Sequence, residues 1–253
     1  MTNRTNSVST IIKTYDDSAV AKHHGGAPSL KELLIESLRA LETQTLLPRE
    51  ILVVDSSAGD GIAETLRRYT PASEVPIRRV PLAPADFSYP HALNWGIQHA
   101  EGEIVVSLSG DAIPANARWL EALVAPLANP DIAGAFSRHV ARPGAPLAWA
   151  ERFRLWWRYR TTTTSLRYTD HLFSNASSAF RKELALQIPF NEALPELEDY
   201  AWAKRVQGQG YAIAYVGESE VYHSHSTSSA KTLWRMVYYV FLRMKIDAQL
   251  EKG

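Results

Sequence analysis

The sequence predicts an α/β fold: a mainly parallel central sheet flanked by helices. Short, largely apolar runs such as VSTIIKT (Val8–Thr14) and EILVVD (Glu50–Asp55) alternate with segments whose apolar residues recur at helical spacing. Each of these runs stops at turn residues, the pattern of βαβ units. The chain has 253 residues, 45% hydrophobic and 21% charged, enough for a sizeable core and too apolar for disorder.

The elements follow in order. Val8–Thr14 reads as the first strand. Leu30, Leu34, Leu38 and Leu41 mark a helix over 30–43. Glu50–Asp55 is the second strand and ends at SSAGDG; a short helix then runs to about Tyr69. Ile77–Val80 is a short strand, residues 90–100 a helix, and Ile104–Leu108 the next strand. Asn116 is placed to cap a helix whose Trp119, Leu120, Leu123, Val124 and Leu127 share one face. The later half changes character. PLAWAERFRLWWRYR (146–160) reads as a helix rich in Trp and Arg, and Thr161–Ser165 as a polar loop. SNASSAFRKELALQIPF reads as a strand or turn followed by a short helix, and Glu198–Gln209 as a helix with Trp202 and Val206 on one side. YAIAYV and SEVYHSH are expected to be two short strands, and Leu233–Leu250 a long apolar-rich helix.

Lys plus Arg equals Asp plus Glu, at 27 each, so nothing draws the chain to nucleic acid. The absence of cysteine excludes disulfides and cysteine-based zinc sites. The start, MTNRTNSVSTIIKTY, lacks the apolar core of a signal peptide. No apolar run reaches the roughly 18 residues of a membrane-spanning helix. A soluble, cytoplasmic protein is expected.

In IVVSLSGDAIP (Ile104–Pro114) an apolar run breaks off at Asp111. Asp favours turns, because its carboxylate accepts from nearby backbone N–H groups. Thr14, Asp55 and Asp111 nonetheless all fall at the carboxyl ends of predicted strands, where open α/β sheets bind ligands. A carboxylate at a strand end is not core packing, so Asp55 is expected to be dispensable for folding.

Four patterns stand in sequence: VSTIIKTYDD, EILVVDSSAGDG, ALNWGIQHAEGEIVVSLSGDAIP and LPELEDYAWAKRVQGQGYAIAYVGESEVYHSH. Together they resemble the family 2 glycosyltransferases with the GT-A fold, over residues 8–225. SGDAIP and the series FSNASSAFRK, IPF, LPELED, YHSH look most like the bacterial rhamnosyltransferase-like branch. The resemblance implies a single domain over 1–253: a nucleotide-binding half to about 112, an acceptor half over 113–228 and a C-terminal helix over 229–253. It also implies inverting transfer of a sugar from a nucleoside diphosphate donor to a hydroxyl of a carbohydrate or glycolipid acceptor, in bacterial polysaccharide or glycoconjugate synthesis.

The resemblance assigns roles residue by residue. Asp111 matches the second acid of the family's Asp-x-Asp motif, followed through Gly110 from Ser109, which replaces the first acid. The developing charge on a diphosphate leaving group calls for a divalent cation, Mg or Mn, which carboxylates hold. Asp55 matches the position that contacts base or ribose, and Thr14, Tyr15 and Asp16 the first nucleotide-contacting loop; Tyr15 packs on the base or covers core. Asn94 supports the donor site or caps locally. Glu198 and Asp199 match the acidic pair that supplies the general base, Asp199 being the better match for the base itself. At a helix start the dipole also favours their charged forms. His223 and His225, two apart on a presumed strand, point to one face, and either can complete the metal site. The insertion Asp17–Ser29 carries His23 and His24, read as a solvated loop.

Two other readings remain. Ser109 motivates a non-catalytic sugar-nucleotide-binding module. RFRLWWRYR and the apolar tail motivate a transferase acting on polyprenyl phosphate at the inner membrane face. On the C-terminal helix Leu233, Val237, Val240, Phe241 and Met244 fall near one face, widened by Trp234, Tyr238 and Tyr239. That face is expected to form a homodimer or a peripheral membrane contact.

Overall fold

The computed structural model describes residues 7–16, 28–225 and 227–250. His23 and His24 lie outside them. In chain order the strands are β1 (Val8–Thr14), β2 (Glu50–Asp55), β3 (Ile77–Pro81), β4 (Ile104–Ser109), β5 (Ile113–Pro114), β6 (Ile132–Val140), β7 (Ser165–Arg167), β8 (Ser177–Arg181) and β9 (Ala212–Tyr222). The helices are α1 (Leu30–Glu42), α2 (Gly61–Arg68), α3 (Tyr89–His99), α4 (Trp119–Val124), α5 (Trp149–Tyr159), α6 (Lys182–Gln187), α7 (Glu198–Gly208) and α8 (Ser229–Leu250).

Among the described residues the strands form one sheet in the order β3-β2-β1-β4-β8-β6-β9-β5, with β7 also paired to β9. Strands β3, β2, β1 and β4 are parallel; β8 runs against β4 and β6, which restores the original direction to β6 and β9. The short β5 and β7 run against β9. The sheet is therefore mostly parallel, and helices cover both faces.

Burial on two faces explains why the strands are apolar at consecutive positions. Ile11, Leu52, Val54 and Val105 join the core under α3, α5, α6 and α7, where Trp202, Phe173, Phe180 and Phe190 pack ring against ring. Their neighbours Ile12, Ile51, Val53, Ile104 and Val106 face the other core, filled by Leu34, Leu38 and Leu41 of α1, Ile62 of α2 and Trp119, Leu120 and Leu123 of α4. Helix α1 starts at a capping box: Ser29 Oγ accepts from Glu32 N, and the Glu32 carboxylate accepts from Ser29 N.

Three expectations are corrected. Residues 132–140, assigned no element from sequence, form the central strand β6. YAIAYV and SEVY are one strand, not two. Against Ser137 and Arg138 of β6, β9 pairs Val216 and then Glu220, leaving Gly217, Glu218 and Ser219 as an extra bulge. A Cβ at Gly217 would lie 2.2 Å from the Thr162 carbonyl carbon, so only glycine fits that crossing. Asn116 does not cap α4; its Oδ1 accepts from Arg118 N in the preceding turn, and the capping position is Arg118. Val124 is only half-buried, because the helix tightens after it into a 3₁₀ turn over Ala125–Ala128.

Glu50 ties the parallel half together. It is buried at the start of β2, and its carboxylate accepts from Ser9 Oγ of β1 at 2.6 Å, from Glu101 N at 2.6 Å and from Arg78 Nη2 of β3 at 2.6 Å. Burial pushes its carboxyl up, but these hydrogen bonds and the guanidinium outweigh it and hold the group below its ordinary value. Glu50→Ala is expected to lower the unfolding free energy by about 1–3 kcal/mol, read from urea denaturation at neutral pH. Because the folded-state value is depressed, this contribution is full above the unfolded value and lost as pH falls through the folded one. The gap between wild type and variant should therefore close in acid.

Candidate active site

The carboxyl ends of β1, β4, β6 and β9 open into a cleft of about 370 Å³. Helix α5, the N-terminus of α7 and helix α8 complete its walls. Of the residues singled out in the sequence, Tyr15, Ser109, Gly110, Asp111, Glu198, Asp199, His223 and His225 line it.

Asp111 sits in the turn after β4, where Gly110 allows close approach: a Cβ there would lie 2.7 Å from Lys13 O. Ser109 Oγ donates to Asp111 Oδ1 at 2.7 Å, so the residue replacing the first acid orients the second. His223 and His225 follow the end of β9 rather than lying on the strand, yet both turn to Asp111. Each of the three offers one ligand atom, and these atoms lie within 4.8 Å of one another. His223 Nε2 is 3.6 Å from Asp111 Oδ1. On its other side His223 Nδ1 lies 3.2 Å from Nδ1 of His139, which is buried on β6 and stacked on Tyr159. Burial, then the neighbouring His223, lower His139 far below the usual imidazole range and keep it neutral. Burial opposes the charged form of Asp111, but His223 and Ser109 outweigh it and hold the carboxyl well below its ordinary value. His225 is lowered to about 4 by burial and by His223, which leaves it a neutral imidazole. The His225 backbone N–H donates to Glu151 Oε1 of α5 at 3.2 Å, which fixes the loop.

The acid pair lines the same cleft. Leu197, the residue before α7, adopts φ 61°, ψ 27°. A left-handed conformation costs a non-glycine residue about 1–2 kcal/mol. Its side chain packs on the Leu194, Tyr200, Ala201 and Ile246 cluster, and the turn delivers Glu198 and Asp199 into the cleft. Glu198 is buried and accepts from Asn175 Nδ2 at 3.1 Å. Asp199 Oδ1 accepts from Tyr200 N at 2.7 Å, so it also satisfies a donor of its own helix end. Burial raises both carboxyls, and Asp199 raises Glu198 further; Arg158 and Arg243 pull Asp199 back toward the charged form.

Four predicted residues sit outside the cleft. Thr14 is buried at the end of β1. Asp16 lies against α2: its N–H donates to Ser57 Oγ at 2.7 Å, and its carboxylate pairs with Lys31 at 3.4 Å. Asn94 of α3 is a tether, donating to Phe190 O at 2.9 Å and to Glu192 Oε1 at 2.8 Å, and accepting from Phe190 N at 3.1 Å. The Asp55 side chain is fully enclosed, accepting from Ser57 N at 2.9 Å and from Arg79 Nε at 2.6 Å. The expected dispensability of Asp55 for folding is thus corrected: the carboxylate satisfies an arginine and a turn.

Sequence reasoning passed over Lys13, His139, Asn175 and Arg158. Lys13 lines the cleft floor, and its Nζ donates to Ser107 Oγ at 2.7 Å and Asn175 O at 3.1 Å. Burial lowers it to about 8, and Glu198, Asp199 and Asp111 partly restore it. Its signal was visible: a lysine inside the apolar run of a strand buried on both faces.

With this geometry in view the comparisons can be read. The model for "Glycosyl transferase family 2" matches residues 27–188, more than half of the chain. The chain belongs to this family. It is 29% identical over 203 residues to O-antigen chain rhamnosyltransferase WbaN of Salmonella anatum, covering 76% of this chain and 61% of that protein. It is 26% identical over 197 residues to O-antigen chain rhamnosyltransferase RfbN of Salmonella typhimurium, covering 75% and 61%. The chain thus spans about 61% of the length of these relatives. Among solved structures it resembles mannosyltransferase PcManGT from Pyrobaculum calidifontis, in complex with GDP-Man and Mn²⁺, with a TM-score of 0.64 at 23% identity over 87% of this chain and 57% of that one. GalNAc-T7 with UDP, GalNAc and Mn²⁺ gives a TM-score of 0.64 at 16% identity, over 87% and 44%. At these identities the likeness establishes the GT-A fold of this family 2 chain and nothing finer.

Asp55→Ala is expected to cost about 1–3 kcal/mol of stability, since it strands the Arg79 guanidinium and the Ser57 donors. Urea denaturation checks this, and unchanged stability would show that the fold does not depend on these contacts.

Proposed function

We propose that this chain is an inverting, metal-dependent glycosyltransferase. It moves a sugar from a nucleoside diphosphate donor to a hydroxyl of a carbohydrate or glycolipid acceptor, in the synthesis of a bacterial O-antigen-type polysaccharide. One observation carries the reading: Asp111, His223 and His225 converge in a cleft that is also lined by Glu198 and Asp199. The names of the two curated relatives support the polysaccharide context.

One carboxylate and two imidazoles suit Mn²⁺, which accepts mixed oxygen and nitrogen donors, better than Mg²⁺, which prefers oxygen throughout. Asp111, His223 and His225 would hold the ion, which when bound supplies positive charge against the departing diphosphate. His139 holds His223 by its Nδ1, and Ser109 holds Asp111, so two further side chains set the ligands' orientation.

The remaining work belongs to protein groups. Asp199 takes the proton of the acceptor hydroxyl as its oxygen attacks the anomeric carbon. The new C–O bond forms as the bond to the diphosphate oxygen breaks on the opposite face, which inverts the centre. Glu198, held by Asn175, positions this end of the cleft. Lys13 keeps negative charge on the acid pair, and Arg158 and Arg243 favour the charged form of Asp199.

The exposed face of α8, with Trp234 at 66% and Phe241 at 65% exposure, supports contact with a second copy or a membrane surface. Among the described residues no helix is long and apolar enough to cross a membrane.

Asp199→Asn is expected to lower the transfer rate by about 10²–10⁴-fold with donor affinity nearly unchanged, and Glu198→Gln by less. Chelator should weaken binding of the nucleoside diphosphate donor by wild type but not by Asp111→Asn, which binds the donor poorly throughout. Both acids have raised folded-state values, so their contribution to stability is lost as pH rises through those values. Asp199→Asn should then melt no lower than wild type in mild alkali, whereas a mere helix cap predicts unchanged turnover. Full transfer activity in Asp199→Asn would overturn the base assignment.

Lys13→Met removes the cation facing Glu198, Asp199 and Asp111. The acidic limb of the pH–rate profile is expected to move to higher pH, because carboxyls without their cation titrate later. A role confined to packing would leave the limb in place.

A further inference from the structure

Behind the cleft lies a second cavity, of about 600 Å³, between α5, the 161–172 segment and α8. Its lining holds six arginines: Arg154, Arg158, Arg160, Arg167, Arg235 and Arg243. It holds a single acid, Asp170, which pairs with Arg167. Arg154 pairs with Glu151 at 2.7 Å. Among the described residues Arg158, Arg160, Arg235 and Arg243 form no ion pair with a carboxylate. This concentration of cations occurs in a chain whose formal net charge is zero.

The cluster is poorly satisfied as well as short of direct ion pairs. The Nε–H groups of Arg158, Arg167 and Arg243 are buried with no acceptor. Buried donors are nearly always paired in folded proteins, so three orphans in one cavity call for an explanation. Aromatic faces supply only part of the compensation: Arg243 lies over Tyr200 at 5.0 Å and Arg167 over Tyr215 at 5.2 Å. Burial, and then repulsion from Arg158, lower Arg243 below the usual guanidinium range, as expected for like charges held together.

We propose that this cavity is a binding subsite for a phosphate or diphosphate group carried by the acceptor. Guanidinium forks match phosphate oxygens in pairs of hydrogen bonds, and a polyanion would answer both the excess of cations and the orphan donors. The acceptor, rather than the donor, is indicated by position, an assignment that rests on the functional reading above. Arg158 and Arg243 act electrostatically on Asp199, the base that faces the acceptor, whereas Asp111 is governed by His223, Ser109 and His225. The cavity joins the cleft through Arg154, Arg158, Arg235 and Tyr239, which line both. Trp157 and Val240, also in its lining, are 62% and 57% exposed, so its outer rim is apolar.

The test uses the full chain, with inorganic pyrophosphate in excess chelator as the first probe. Calorimetry should show binding without metal, weakened about tenfold or more in the Arg158→Gln/Arg243→Gln double variant, as expected when charged hydrogen bonds are lost. Asp111→Asn should bind pyrophosphate like wild type under these conditions. The melting curve of each variant is recorded without ligand, so that weaker binding is read on folded protein. A second arm sediments the chain with vesicles of phosphatidylcholine alone or doped with phosphatidic acid. Selective loss of phosphatidic acid binding in the double variant assigns the anion to a lipid headgroup. Pyrophosphate binding with no preference between vesicles assigns it to a soluble acceptor. Pyrophosphate binding that is absent in chelator, or equal in wild type and double variant, overturns the subsite. Failure of the transferase reading would show elsewhere, as no turnover with any donor while chelator-resistant pyrophosphate binding persists.

Discussion

A chain of hydrogen bonds around the Lys13 ammonium holds the two halves of the site to each other. Lys13 donates to Ser107 on β4 and to the Asn175 carbonyl, and the Asn175 amide donates to Glu198. Ser178 of β8 donates to Asn175 Oδ1 at 3.1 Å, which fixes the amide's orientation. A cation from the first strand thus reaches the acids of α7 through one asparagine. Burying that many charges is costly, and the cost is offset only because opposite signs sit together with their hydrogen bonds satisfied. The spacing between the metal-type ligands and the acid pair follows from this link.

The sheet's single mid-order reversal serves the same end. Because β8 runs against both neighbours, the 174–176 segment before it emerges where β4 ends. Ser109 N donates to Ala176 O at 2.9 Å, so the turn carrying Asp111 is stitched directly to the segment carrying Asn175. Deeper in, Trp119 Nε1 donates to Ser137 and Ser177 at 3.1 Å each, and Ser137 also meets Ser219. This buried polar cluster joins α4, β6, β8 and β9 at one point. A hydroxyl network of that kind specifies a unique register where apolar packing alone would permit several.

Much of this was legible in the sequence, for identifiable reasons. The parallel half announced itself because strands buried on both faces are continuous runs of β-branched residues, as in TIIKT and ILVVD. The acid pair and Asp111 were visible because turn residues and helix starts have local signatures. Strand β6 was not, because its core is Ala133-Gly134-Ala135, which has no β-branched signature. The structure needs those small residues: a Cβ at Gly134 would sit 3.2 Å from the Phe173 ring. His139 was lost with its strand. The enclosure of Asp55 was equally hidden, since its partner Arg79 stands on a neighbouring strand and no local pattern links them.

The three-residue bulge in β9 has a consequence for how this protein can change over generations. Pairing with β6 resumes only at Glu220, three positions before His223. Because alternate strand residues point to opposite faces, a change in the number of residues among Gly217–Ser219 that shifted the register at Glu220 would redirect the segment that carries both histidines to Asp111. Point substitutions near the surface of this strand leave that phasing intact; insertions and deletions do not. The stretch acts as a spacer whose count is fixed, and two of its three residues are fixed as well: Gly217 by the Thr162 backbone and Ser219 by its bonds to Ser137 and the Trp119 carbonyl.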